Sequence, residues 1–305
     1  MDFKQKFEPK GNRIIHGAGQ QFPEDFRDYW NTVGKYKPIL YMTYIEIKWS
    51  DEKWFNIIKN EIKEFPNVIL QIGLSMTNEV EGDPQSHYEH DVAEGKYDEA
   101  IDRFCKGIKE LRIPTFVRLG YEFNGLSWNG YLPKTYVKAW KHFVNKIRKN
   151  KVDNIAMVWC YCPEGKKGYM DYYPGNDYVD WWAIDIFSPE HFNDGYTEKF
   201  MQDAKKHKKP IMVGESSARY IGTKEGQKSW DKWFKLYFRW IDRHPIVKAF
   251  CYINWNWTKH KHWKDWGDCR ISQNDVVKKK YLKEISKPKY IHNQPISKFL
   301  KKVHH

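Results

Sequence analysis

Short apolar runs that end in polar residues recur along this chain, separated by longer stretches whose apolar positions return every three or four residues. The first pattern reads as strand and the second as amphipathic helix. Eight strands are predicted: Arg13 to His16, Pro38 to Thr43, Val68 to Gly73, Thr115 to Tyr121, Asn154 to Cys160, Val179 to Ile186, Pro210 to Gly214 and Lys248 to Asn254. Helices are predicted at Asp51 to Phe65, Tyr97 to Leu111, Pro133 to Asn150, Thr197 to Lys208 and Gly226 to His244. Strand and helix in alternation imply a parallel sheet. Eight units over roughly 250 residues favour the closed (β/α)8 TIM barrel over an open sheet.

The 305 residues, 41% of them hydrophobic, suffice for one large core. No composition shift marks a linker, so residues 1–305 are expected to form a single domain. The tail from 271 to 305, rich in Lys, Ser and Pro, is expected to pack on the barrel exterior as a C-terminal extension. His304 and His305 are left out of metal arguments. No run approaches the roughly 18 to 20 apolar residues of a membrane span, and the residues after Met1 contain no apolar signal core. Removal of an export signal would leave the same sequence, so both a secreted and a cytoplasmic location stay open. A monomer is expected.

Five cysteines, Cys105, Cys160, Cys162, Cys251 and Cys269, are too few and too irregular for a disulfide scaffold. Cys160 and Cys162 share a strand face, where packing is the simpler reading. The net charge of +13 comes from lysines scattered over helical stretches without a nucleic-acid motif. Solvated helix faces account for most of it, and no nucleic-acid partner is expected. The aromatic load, 17% of the chain, suits a groove for sugars, whose C–H faces pack on rings, and suits a large core almost as well.

Active sites of such barrels form at the C-terminal ends of the strands. Two of those ends carry a glutamate. The fourth strand runs through Arg118-Leu119-Gly120-Tyr121 into Glu122, and the seventh through Met212-Val213-Gly214 into Glu215. A carboxylate placed after an apolar run is costly unless it is used or paired. Two carboxyls about 5 to 5.5 Å apart, one protonated and one ionised, are what retaining glycoside hydrolysis needs. Arg118 lies four residues before Glu122 and so on the same strand face. A buried guanidinium there would favour the charged form of a nearby carboxylate, or serve as a structural ion-pair partner.

The segment Arg118-Leu119-Gly120-Tyr121-Glu122-Phe123-Asn124-Gly125 with Trp128, the pair Val158-Trp159, the run from Tyr173 to Trp182, and Gly214-Glu215-Ser216-Ser217 resemble glycoside hydrolase family 26. The resemblance extends from His16 to Trp257. It implies a clan A barrel, mannanase-like, that degrades β-mannan or a related β-linked polysaccharide, with Glu122 as acid/base, Glu215 as nucleophile and Arg118 contacting sugar. The family usually has His before the acid/base, where this chain has Tyr121. It usually places a tyrosine after the sixth strand to orient the nucleophile, where this chain offers Phe187.

Other strand ends supply candidates for the groove: His16 after the first strand, Trp159 and Tyr161 after the fifth, Trp255 and Trp257 after the eighth. Some of these rings are expected to stack on sugar and the rest to pack in the core. Asn124 would bond a substrate hydroxyl or cap the next helix, and Trp128 joins the list through the resemblance. The polar loop from Asp83 to Asp91 and the pair His260 and His262 collect possible metal ligands, but two-carboxylate chemistry needs neither metal nor cofactor. The alternatives are a glycosidase for β-glucan, β-xylan or an acidic cell-wall polysaccharide, and a non-catalytic carbohydrate-binding barrel. Such a binding barrel commonly lacks one of the two carboxylates.

Overall fold

The computed structural model describes residues 1–19, 22–78, 86–165 and 168–296. Gln20, the Asp83-Pro84-Gln85 part of the polar loop, and His304 and His305 lie outside the described residues. Among the described residues nine strands form one sheet: β1 (Ile14–Gly19), β2 (Leu40–Glu46), β3 (Ile69–Ser75), β4 (Thr115–Leu119), β5 (Ile155–Tyr161), β6 (Trp181–Ile186), β7 (Ile211–Ser216), β8 (Val247–Ile253) and β9 (Tyr290–Ile291). Their order is β2-β3-β4-β5-β6-β7-β8-β1-β9, and β1 also pairs with β2. That second pairing returns the sheet onto itself. With helices between successive parallel strands, the chain is a (β/α)8 barrel. Among the described residues no helix is long and apolar enough to cross a membrane.

All eight predicted strands are present, each shifted by a few residues. The shifts matter at two places. β4 ends at Leu119, so Glu122 stands on a turn, while β7 continues to Ser216, so Glu215 lies inside its strand. The predicted helix from Gly226 to His244 is three pieces: a turn at Gln227–Ser229, a π-helical turn at Trp230–Phe234 and an α-helix at Lys235–Arg243. The π turn inserts an extra residue per turn. Here it carries Trp233, whose indole N–H donates to the Phe187 carbonyl, 2.6 Å away at the end of β6.

By its contacts the chain divides into two compact units, Thr43–Ile184 and the pair of segments Met1–Met42 and Asp185–His305. In the continuous unit, β3 to β6 pair in sequence order behind two long amphipathic helices, Asp98–Leu111 and Pro133–Lys149. Phe104 and Phe143 meet between these helices with ring centroids 5.8 Å apart.

In the discontinuous unit, β1 lies between β8 and β2, and β9 adds to it through Ile14↔Tyr290. The segment after 270 contributes helix Asp275–Ile285, whose Val277, Tyr281 and Ile285 are buried. The other end of the chain is tied down as well. Lys248 of β8 is fully buried, and its ammonium donates to Asp2 at 2.9 Å and to the Gly11 carbonyl.

Gly17 shows how tightly β1 is packed. A Cβ built there would stand 2.6 Å from Cys251 Sγ, 2.8 Å from the Phe250 carbonyl oxygen and 2.9 Å from Leu40 Cβ. Since one of these neighbours is backbone, Gly17→Ala is expected to lower unfolding stability by about 1–3 kcal/mol. Denaturant melts of the two proteins measure it, and equal midpoints would mean that the strands separate without cost.

Much of the aromatic content is core. Trp140, Trp159, Trp181, Trp182, Trp233 and Trp240 are fully buried. The composition therefore mainly describes the helix–sheet layer.

Candidate active site

Both faces of a barrel strand are buried, so which face meets the lumen has to be read from partners. On β7, Ser216 donates to the Cys251 carbonyl at 2.7 Å and lies 3.0 Å from the hydroxyl of Tyr237, a residue of helix Lys235–Arg243. Ser216 thus faces the helix layer. Alternation sends Glu215 to the opposite, inner face, where it is 8% exposed. The next residue, Ser217, donates to the Ile253 carbonyl and accepts from the Trp257 indole at 3.1 Å. The nucleophile candidate therefore sits on a strand whose flanking hydroxyls are tied to the structure around it.

Glu122 is placed differently. Gly120 and Glu122 both have left-handed backbone, φ +50° and +51°. For glutamate this conformation is costly and needs outside support. Asn129 supplies part of it, its amide donating to the carbonyls of Tyr121 at 2.8 Å and Glu122 at 3.0 Å, while Gly125 N–H donates to Glu122 O at 2.8 Å. No periodic pattern in the sequence marks Asn129, seven residues past the glutamate. The half-buried Glu122 side chain thus stands on a turn whose backbone is specified.

Arg118 is fully buried on β4, with Cys160 Sγ of β5 3.5 Å from its guanidinium. The guanidinium lies over the ring of Tyr121 at 4.9 Å and of Tyr44 at 5.9 Å. Tyr121, the residue that departs from the family pattern, is therefore the ring over a buried cation. Tyr44 carried no signal in the sequence beyond being aromatic.

Four of the sequence-derived candidates are buried and hold contacts within the protein. His16 is fully buried and faces the helix layer: its Nε2 lies 2.6 Å from the Tyr29 hydroxyl, its Nδ1 lies 3.0 Å from His292 Nδ1, and its ring stacks on Phe250. Trp159 and Tyr161 are on the opposite face of β5 from Cys160 and have no exposed surface. Trp159 stacks on Phe123 at 4.4 Å and Tyr161 packs on Tyr169 at 5.2 Å. Asn124 is a clamp between loops, its amide donating to Cys162 O at 2.7 Å and accepting from Cys162 N–H at 2.9 Å.

The remaining candidates keep a surface. Trp128 is 37% exposed and packs over Gly125, where a Cβ would meet its ring at 2.2 Å. Trp255 and Trp257 are nearly buried, edge to face at 4.7 Å, and open a loop closed by the Asn256↔Asp268 bridge. In that loop His260 packs on Trp255 and Trp263, which gives it an aromatic setting, while His262 is exposed. At the end of the polar loop, His90 and Asp91, with Glu94 beyond it, bring one ligand atom each within 4.8 Å of one another. Lys96 already places its ammonium 2.7 Å from Asp91 and 3.1 Å from Glu94, and its hydrogen bond holds the Asp91 carboxyl below its usual range.

A parallel eight-stranded barrel with glutamates at the ends of its fourth and seventh strands defines the class, a glycoside hydrolase barrel. The family model for glycosyl hydrolase family 26 matches residues 12–244, and the chain belongs to that family; it is a glycoside hydrolase by family. It is 31% identical over 264 residues to the β-1,3-xylanase TXYA of a Vibrio species, a match covering 77% of this chain and 55% of the relative. It is 30% identical over 257 residues to a β-1,3-xylanase of an Alcaligenes species, covering 75% of this chain and 53% of the relative. The chain thus spans about half the length of these curated relatives. Among solved structures, a Cellulomonas fimi endo-β-1,4-mannanase double mutant superimposes with a TM-score of 0.71 at 14% identity, over 99% of this chain and 79% of the other, a likeness of fold.

Proposed function

We propose that the chain is a retaining endo-β-glycanase working by double displacement. The observation that carries this reading is Glu215 itself, a carboxylate on the inner face at the C-terminal end of β7, followed by two serines whose hydroxyls are bonded elsewhere. In the first step Glu215 attacks the anomeric carbon while Glu122 gives its proton to the departing glycosidic oxygen. In the second, water attacks the glycosyl-enzyme, Glu122 takes the proton, and Glu215 leaves as carboxylate. The half-buried Glu122, on its turn beyond the strand, suits a group that must exchange protons with water.

β-1,3-Xylan is the first substrate to test, because the two relatives at about 30% identity are named β-1,3-xylanases. β-Mannan, the substrate that the family resemblance first brings forward, comes second, since the mannanase structures support the barrel at far lower identity. Purified protein incubated with a panel of β-glycans, scored by reducing ends and product length, separates the two. Proton NMR in the first minutes of the reaction should show product with the anomeric configuration of the substrate. Initial release of the other anomer would eliminate Glu215 as nucleophile.

A further inference from the structure

Five residues beyond Glu215, the backbone of Tyr220 is left-handed, φ +64°. For an aromatic residue this is an outlier that persists only where the surroundings impose it. They do so here. Tyr220 N–H donates to the Trp266 carbonyl at 3.1 Å, Thr223 N–H donates to Asp268 O at 2.9 Å, and a Cβ on Gly222 would stand 2.8 Å from that same oxygen. The loop after β7 is thus laced to the loop after β8. Despite this scaffolding, the Tyr220 ring is 59% exposed.

Nothing in the packing explains a strained backbone that holds a large ring in solvent. The ring is nevertheless kept in place. Arg219 lies with its guanidinium carbon 5.2 Å from the Tyr220 centroid, 4.9 Å from Trp266 and 5.8 Å from Phe187. The guanidinium is fixed by donation to Ser188 Oγ, at 3.2 Å from Nε and 2.6 Å from Nη2. Tyr220 and Trp266 meet at 67°, so their rings form a corner. The three loops that build it follow β6, β7 and β8, on the strand ends where barrel sites form.

We propose that Tyr220 is the platform of a glycan subsite, stacking its exposed ring on a pyranose of a β-linked main chain beyond the bond that is cleaved. The proposal rests on the endo-β-glycanase reading for its ligand, and it adds the residue that grips the chain. Phe187, where the family usually has a tyrosine, serves this corner as a ring beneath Arg219. A rigid aromatic platform loses little conformational freedom on binding, which is the physical gain for holding the ring in advance.

The test compares the parent with Tyr220→Gly and Tyr220→Phe. Glycine adopts left-handed backbone without strain, so Tyr220→Gly should melt no lower than the parent, whereas loss of a purely structural ring would lower the melting temperature. Native gels cast with β-1,3-xylan, β-mannan or β-glucan read binding whether or not the chain is cut. The parent should be retarded in at least one gel, Tyr220→Phe should match it, and Tyr220→Gly should bind about tenfold more weakly. On the same polysaccharide KM should rise by a similar factor with kcat little changed, while a short aryl glycoside should be hydrolysed as by the parent. Equal retardation of Tyr220→Gly and parent, or no retardation of the parent in any gel, would overturn the platform. Parent protein retarded yet without hydrolysis would instead defeat the glycanase reading and leave the platform standing.

Discussion

Glu215→Ala and Glu122→Ala are each expected to cut polysaccharide hydrolysis by at least about 10³-fold, the first by removing the covalent step and the second by removing proton transfer. The two losses should differ in kind. An aryl glycoside with a good leaving group needs no proton, so it should recover part of the Glu122→Ala rate and none of the Glu215→Ala rate. Both variants should keep their fold. Glu122 is half-buried on a turn whose backbone is held by Gly125 N–H and by Asn129, and Glu215 is followed by two serines that keep their own partners. Near-parental turnover in both variants would remove these residues from the mechanism.

The second large effect concerns acid stability and comes from the buried His16. His292 donates from Nε2 to the Ile285 carbonyl at 3.0 Å, so in its neutral form Nδ1 accepts from His16 Nδ1–H. His16 Nε2 then accepts from the Tyr29 hydroxyl, which accepts from Tyr281 at 2.7 Å. Every proton in this row has one place when both imidazoles are neutral. Burial holds His16 well below the ordinary value of 6.5 and His292 below it. The unfolded chain therefore takes up protons at pH 6.5 that the folded chain refuses. Stability is full above about 6.5 and is lost as pH falls, by about 1.4 kcal/mol per pH unit for the His16 proton alone.

Asp25 works in the opposite direction, since burial pushes its carboxyl up to about 6 and the folded chain gains that proton first. It is only part-buried, so solvent screens its contribution, and its effect starts below the pH where the histidines have already begun to act. The melting temperature should therefore fall steadily from pH 6.5 to pH 5, and His16→Gln should flatten the slope even if it lowers the starting value. A parent protein equally stable at pH 7 and pH 5 would mean that the row accepts protons without cost.

His16 also shows what the sequence could not tell. Strand number and order were legible because each strand is an apolar run bounded by polar residues, and the two glutamates stood out as charges at the ends of such runs. Inner and outer faces were not legible. A barrel strand is buried on both sides, so the polar–apolar alternation that would orient it is absent. His16 therefore reads as a groove candidate although it points into the helix layer, and for Trp159 and Tyr161 the sequence leaves sugar stacking and core packing open, while the structure buries both, against Phe123 and Tyr169. The clamp made by Asn124 was hidden for another reason, because its partner Cys162 is 38 residues away and only the fold brings them together. Asn129 and Ser188 act through loop geometry, which leaves no periodic trace, and Tyr44 acts from a position in β2 that nothing but its aromatic type marks.

The bonds of Lys248 have a consequence for how the chain comes to be folded at all. Its partners, Asp2 and Gly11, are made more than two hundred residues earlier, and β1 likewise waits for β8 and β9. On a ribosome, residues 43–184 can complete β3 to β6 from neighbours already synthesised, whereas the first forty residues emerge with nothing to pair except β2. Contacts so distant along the chain make for slow folding, and a strand edge left open meanwhile is a route to aggregation. Expression at lower temperature, or a slower rate of synthesis, should accordingly raise the soluble yield of this chain more than that of a barrel whose ends do not lock together.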